Sequence, residues 1–287
     1  MRLLAEANLF DNLWGGFGGG YGGRPVLLTP KNQNGHMPNA TVTDVVVRFN
    51  WMRNVGGLVE IINGNEHCDL NHTGCKGSDC PFDCPAHAGH TYSFHDIVVE
   101  NVSYPSCQGC APDWVEITSS TNVSGFNVHD IHIDHITIVP SETSMTFTGG
   151  FFYFGGWAMN NVNWTNSILP TGRYPAHASR NGCGDHARTP KEHFDACFPQ
   201  HSFRNNLLLA QQPQDRIPSR WPACNAFPPN SSALMMDPTT YALSPESPYK
   251  GTATDGRDPG AGIAVLLAAI SGVKEGTSKP PPTTLSL

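Results

Sequence analysis

The stretch HDIHIDHITI, His129 to Ile138, sets three histidines and two aspartates among four isoleucines. Up to Asp134, apolar and polar residues alternate with period two. This sends Ile131 and Ile133 to one face and Asp130, His132 and Asp134 to the other, the pattern of a half-buried strand. The phase breaks after Asp134, so His135 marks a bend. Three further segments carry the same signature: TDVVVRFN (Thr43 to Asn50), HDIVVENV (His95 to Val102) and NNVNWTNS (Asn160 to Ser167). Asp or Asn opens each, and Asp44, Asp96, Asp130 and Asn161 follow one another at intervals of 52, 34 and 31 residues. A second strand trails each first one, as PVLLT (Pro25 to Thr29), LVEII (Leu58 to Ile62), WVEIT (Trp114 to Thr118) and MTFTG (Met145 to Gly149). NLFDN (Asn8 to Asn12) also echoes NWMRN (Asn50 to Asn54). Two strands per repeat at this period predict a solenoid in which each coil buries its apolar face on the next, with at least five coils before about residue 170.

The closing segment YALSPESPYKGTATDGRDPGAGI, Tyr241 to Ile263, adds a Leu-containing strand, a Ser-Pro turn and a Gly-Asp-rich run. With the repeat, it resembles the right-handed parallel β-helix repeat proteins, the broad group sharing the pectate-lyase fold, and among them the secreted bacterial members. The resemblance implies an all-β, right-handed parallel β-helix forming one domain over 1–273. A Cys/His-rich loop insert (66–92), a long loop region (169–201), a short terminal helix in AVLLAAISG and a disordered tail (274–287) are expected to complete it. The chain opens directly into RLLAEANLF, which reads as a strand, so it is expected to be N-terminally incomplete, with a signal peptide upstream.

Charged residues make up only 14% of the 287, and 29 Gly and 24 Pro point to many turns between short strands. The net charge of −7 offers no basic patch for nucleic acid, and no apolar run is long enough to cross a bilayer. Nine cysteines favour a secreted or periplasmic protein, and six N-x-S/T sequons, at Asn39, Asn71, Asn101, Asn122, Asn163 and Asn230, are compatible with one but are expected by chance in a chain so rich in Asn, Ser and Thr. A monomer whose partner is a polysaccharide is expected.

In the repeat alignment, outward residues stack in columns about 4.8 Å apart: Asp44, Asp96, Asp130; Val46, Val98, His132; and Arg48, Glu100, Asp134. VEI recurs at Val59 to Ile61 and Val115 to Ile117, which stacks Glu60 on Glu116. Two carboxylates on adjacent rungs sit near the roughly 5 Å separation of a retaining glycosidase pair, and like charges so close call for a shared proton, a cation or a base. Glu60 and Glu116 are therefore the first catalytic candidates, and Arg48, Glu100, His132 and Asp134 the second. Asp96 and Asp130 are candidates for sharing Ca²⁺, which takes six to eight oxygens. Cys68, Cys75, Cys80 and Cys84 fit two disulfides, a tetrahedral zinc site or free thiols, with disulfides favoured. Ile133 to His135 is similar to the end of the Trp-Ile-Asp-His tetrapeptide of pectate lyases, but His132 replaces the Trp. RYPAHASR has Arg173 and Pro175 of their Arg-x-Pro-x-x-Arg signature, with Arg180 two positions late. GGFGGGYGG (Gly15 to Gly23) reads as a turn. FFYFGGW (Phe151 to Trp157) reads as packed core or as aromatic faces for sugar rings. The expected function is a carbohydrate lyase or glycoside hydrolase on a uronate-containing or other extracellular glycan. A non-catalytic carbohydrate-binding β-helix and an inactive fragment are the alternatives.

Overall fold

The computed structural model describes residues 2–13, 23–30, 41–63, 89–102, 113–119, 127–140, 150–172, 174–178, 182–210 and 212–273. These form a parallel β-helix with three faces. The first face stacks β1 (Leu3–Glu6), β4 (Thr43–Arg48), the start of β7 (His90–Val102), the start of β9 (His129–Pro140), β11 (Asn160–Thr165) and β14 (His201–Arg204). The second face stacks β2 (Leu9–Leu13), β5 (Trp51–Val55), the ends of β7 and β9, β12 (Ile168–Pro170) and β15 (Leu207–Leu209). The third stacks β3 (Val26–Leu28), β6 (Val59–Asn63), β8 (Val115–Ser119), β10 (Gly150–Gly156) and β13 (Tyr174–Ala178). Every strand pairing within the three faces is parallel.

Alternation does the folding. Ile131 and Ile133 are buried and His132 is exposed, as the opening stretch requires. Inward residues interlock between rungs. Phe152, Phe154, Phe194 and Phe198 make tilted and edge-on ring contacts of 4.2–5.9 Å inside the wall. FFYFGGW is thus mainly core: Phe151, Phe152 and Phe154 point in, while Trp157 is exposed.

The turn from first to second face takes two residues in every coil, and the first of them is left-handed: Ala7, Phe49, Asp96, His135, Asn166 and Asn205 have φ of 51–57°. Asn and Asp adopt this region at small cost, whereas Phe49 and His135 are held there by their surroundings. The second turn residue points inward. Asn8 donates to Asn50 Oδ1 (3.0 Å), Ser167 N to Asn206 Oδ1 (3.0 Å), and Asn206 Nδ2 to the Trp164 carbonyl (3.0 Å). Asn50 and Asn206 are buried and satisfy backbone carbonyls of their corners, which would otherwise be stranded, while Asn8 on the first coil is exposed.

The rungs correct the repeat alignment. Asp44 lies beside Thr91, Asp130 and Asn161, all with positive φ, and Asp96 belongs to the Phe49/His135 corner instead. Val46 aligns with Ser93 rather than Val98. Glu100 aligns with Arg53, not with Arg48 and Asp134, which have His95 between them. The cause is a decoy: His95-Asp96-Ile97 repeats the letters of His129-Asp130-Ile131 five residues after the true match at His90.

The region 169–201 is not the long loop expected. It holds β13 and α1 (Pro190–Cys197), which Thr189 caps by a reciprocal box with Glu192 and which a Cys183–Cys197 disulfide ties down. α2 (Ile263–Ile270) is the terminal helix. With Tyr241, Ala242 and Ala261 it covers Trp51 and Val98 on the outer side of the second face. A polar lock fastens this segment to the corner: Arg257 to Asp96 (3.0 Å), Gly262 N to Asp96 (3.0 Å), and buried His135 to the Gly260 carbonyl (2.9 Å) and to Asp255 (3.2 Å).

Candidate functional site

On the third face the outward positions of five consecutive rungs are Leu27, Glu60, Glu116, Tyr153 and His177, in strict register. The stacking of Glu60 on Glu116 is the one the VEI repeats call for. The structure adds a cation between them. Arg24 Nη1 lies 2.7 Å from Glu60 Oε2 and Nη2 lies 3.2 Å from Glu116 Oε2. Arg24 Nε and Nη2 also donate to the Asp113 carbonyl at 3.0 and 2.7 Å. Arg24 comes from the first coil and Asp113 from the third. On the coil between them sits Gly57, where a Cβ would come within 2.7 Å of the Trp114 carbonyl.

The side chains of Arg24 and Glu60 are 4% and 2% exposed, so this pair is a fixed charge frame, while Glu116 at 16% reaches solvent. Burial pushes the Glu116 carboxyl up to about 7; Arg24 opposes the shift, and Glu60 and Asp113 add to it. Asp113 in turn lies 3.4 Å from His177 Nε2, and the His177 ring packs on Tyr153 with centroids 5.0 Å apart. Behind them His193 of α1 is buried, and desolvation together with the His177 charge lowers its pKa to about 4.

Arg24, Asp113 and His177 were not singled out from the sequence, whereas Tyr153 belongs to the FFYFGGW stretch read as core or as aromatic faces for sugar rings. Arg24 meets Asp113 across 89 residues, a separation no local pattern reveals. His177 was hidden because β13 is short and begins Tyr-Pro. A usable signal existed: Tyr174, Ala176 and Ala178 alternate as a strand should.

The other candidates are dispersed. Arg48 bonds Glu6 at 2.9 Å on the open first face. Asp134 accepts from Thr165 (2.7 Å) and Asn166 (2.8 Å), with exposed His132 one position inside it. Glu100 accepts from the Tyr241 hydroxyl at 2.6 Å, under the C-terminal segment. Asp96 and Asp130 occupy different corners, so they do not stack to share a cation. Burial works against ionising Asp96, but bonds from His95 and Gly262 and the charge of Arg257 hold its pKa below the usual range. Asp130 is held by Asn161 and His129. Among the described residues no three His, Cys, Asp or Glu side chains converge as a metal ion needs. Cys68, Cys75, Cys80, Cys84, Arg173 and Arg180 lie outside the described residues, as do MTFTG and the tail 274–287.

No protein-family model, no curated protein and no solved structure matches this chain. Within the described residues no helix is long and apolar enough to cross a membrane, and the Cys183–Cys197 bond fits an oxidising, extracytoplasmic location.

Proposed function

We propose that the protein is a secreted glycoside hydrolase of the right-handed β-helix, pectate-lyase-like kind, and that Glu116 is its general acid. Right-handed crossovers are the rule between parallel strands. The observation that carries the activity is a carboxyl poised near neutrality one rung from an ion-paired carboxylate: two acids whose surroundings separate their roles. Glu116, protonated below about pH 7, gives its proton to the glycosidic oxygen as the bond to the anomeric carbon breaks. Positive charge then develops on the sugar near the Asp113 carboxylate; water adds to the anomeric carbon and gives its proton to the Glu116 carboxylate, which restores the acid. Tyr153, on the adjacent rung, offers a ring face to the substrate.

A base-driven elimination of a uronate is less well supported here. Arg24, the cation of the column, is committed to two carboxylates and a carbonyl.

The test is a panel of neutral glycans and polyuronates with Ca²⁺ or with EDTA, reading reducing ends and unsaturated product together. The expected result is new reducing ends without unsaturation, a rate that declines above pH 7, and a loss of at least about 10²-fold in Glu116→Gln. Calcium-dependent unsaturated product would make the protein a lyase. No product from demonstrably folded protein would leave a carbohydrate-binding β-helix.

A further inference from the structure

The three outer faces differ in what lies on them. The second is roofed by the C-terminal segment, and the third carries the buried Arg24 network. The first is open. Its outward positions on five successive rungs, Leu4, Val46, Ser93, His132 and Asn163, form one straight line in register. Two hollows of about 520 and 280 Å³ lie along this line and share Ser93 and His132, so together they make one groove parallel to the solenoid axis.

The charges that line the groove balance, with Arg2 and Arg48 set against Asp44 and Asp134. Arg48 is also paired with Glu6 at 2.9 Å, and Asp134 accepts from Thr165 and Asn166 at 2.7 and 2.8 Å. What remains on the floor is a hydroxyl, an imidazole and a carboxamide, preceded by two apolar side chains. At the start of these strands the rings of His90 and His129 stack with centroids 4.9 Å apart and planes within 7°. A ligand suited to this surface is long and uncharged, forms hydrogen bonds at regular intervals and has apolar ring faces. Each rung presents one side chain about every 4.8 Å, so the spacing suits a polymer read unit by unit.

We infer that the first face is a second glycan-binding surface, taking a neutral linear polysaccharide along the solenoid axis and holding it without cleaving it. This inference is independent of the chemistry at the glutamate column. A polyanion is disfavoured by the Asp44 and Asp134 carboxylates in the lining and by the net charge of −7.

The test is calorimetric titration of the Glu116→Gln protein, which keeps any ligand intact, with cellohexaose, mannohexaose, xylohexaose and hexagalacturonate. At least one neutral hexaose should bind, and adding His132→Ala with Asn163→Ala should weaken it tenfold or more. The same pair of changes in the otherwise unaltered chain should leave hydrolysis of a short soluble substrate unchanged. Both side chains lie on the outer surface, and an unchanged circular dichroism spectrum verifies the fold. Affinity unaffected by the pair, preference for hexagalacturonate, or no binding of any neutral hexaose at millimolar concentration would each overturn the inference. None of those outcomes would bear on whether Glu116 is a general acid.

Discussion

Glu116 and His193 should give the protein two opposing pH dependences that nearly cancel until one of them is removed. The Glu116 pKa rises from 4.5 to about 7 on folding, so its contribution to stability is complete below pH 4.5 and is lost as pH rises through 7. The His193 pKa falls from 6.5 to about 4, so its contribution is complete above pH 6.5 and is lost as pH falls through 4. Each group is largely buried, and a tenfold change in proton affinity is worth about 1.4 kcal/mol, so each contribution amounts to about 3 kcal/mol over its range. Between pH 4.5 and 6.5 the slopes have opposite sign and similar size. The assay is urea denaturation followed by tryptophan fluorescence at half-unit pH steps, with a constant m-value required throughout. Relative to the unaltered chain, Glu116→Gln should gain about 3 kcal/mol between pH 4.5 and 7, and His193→Gln should gain a similar amount between pH 6.5 and 4. A stability difference that stays constant with pH in either variant would refute the burial argument for that residue, and in Glu116→Gln it would also remove the case for a proton held on Glu116 near neutrality.

Three other outcomes follow from the packing. Gly57→Ala sets a Cβ against the Trp114 carbonyl and should cost about 1–3 kcal/mol in chemical denaturation, while lowering hydrolysis by displacing Arg24. Asn206→Ala strands the Ser167 amide and the Trp164 carbonyl inside the corner, for a loss of about 2–3 kcal/mol in the same assay. Burial of Asp255 opposes its ionisation, but bonds from Arg257 hold its pKa at about 2 and Asp96 is also depressed. Their stabilisation is therefore present above pH 3.8 and lost below it. Hydrogen-exchange protection factors across residues 253–266 should fall steeply between about pH 4 and 2, and Arg257→Ala should move that transition upward.

Period-two alternation makes the strands legible in this sequence, and the recurrence of Val-Glu-Ile makes one column legible too. The bend at His135 follows from the broken phase. Register across coils was harder, because composition alone cannot separate two His-Asp-Ile triplets when a strand runs uninterrupted round a corner. In the β7 repeat Thr91 takes the left-handed position that Asp holds in its neighbours, so the true match lacked its marker. The site was half visible for a related reason. Glu60 and Glu116 lie within strands and inherit their periodicity, whereas Arg24 and Asp113 precede strands and meet only through the coiling of the backbone.

The two-residue corner has a further consequence. Between first and second faces the chain never varies in length, while the segments entering and leaving the third face range from a few residues to the 26 that separate Asn63 from His90. Insertions and deletions are thus tolerated at the two borders of the glutamate column and excluded elsewhere. A lineage built on this frame can exchange the fringe around its chemistry freely, because the constant two-residue corner on the opposite side keeps the coil count and the rung height independent of whatever is grafted there.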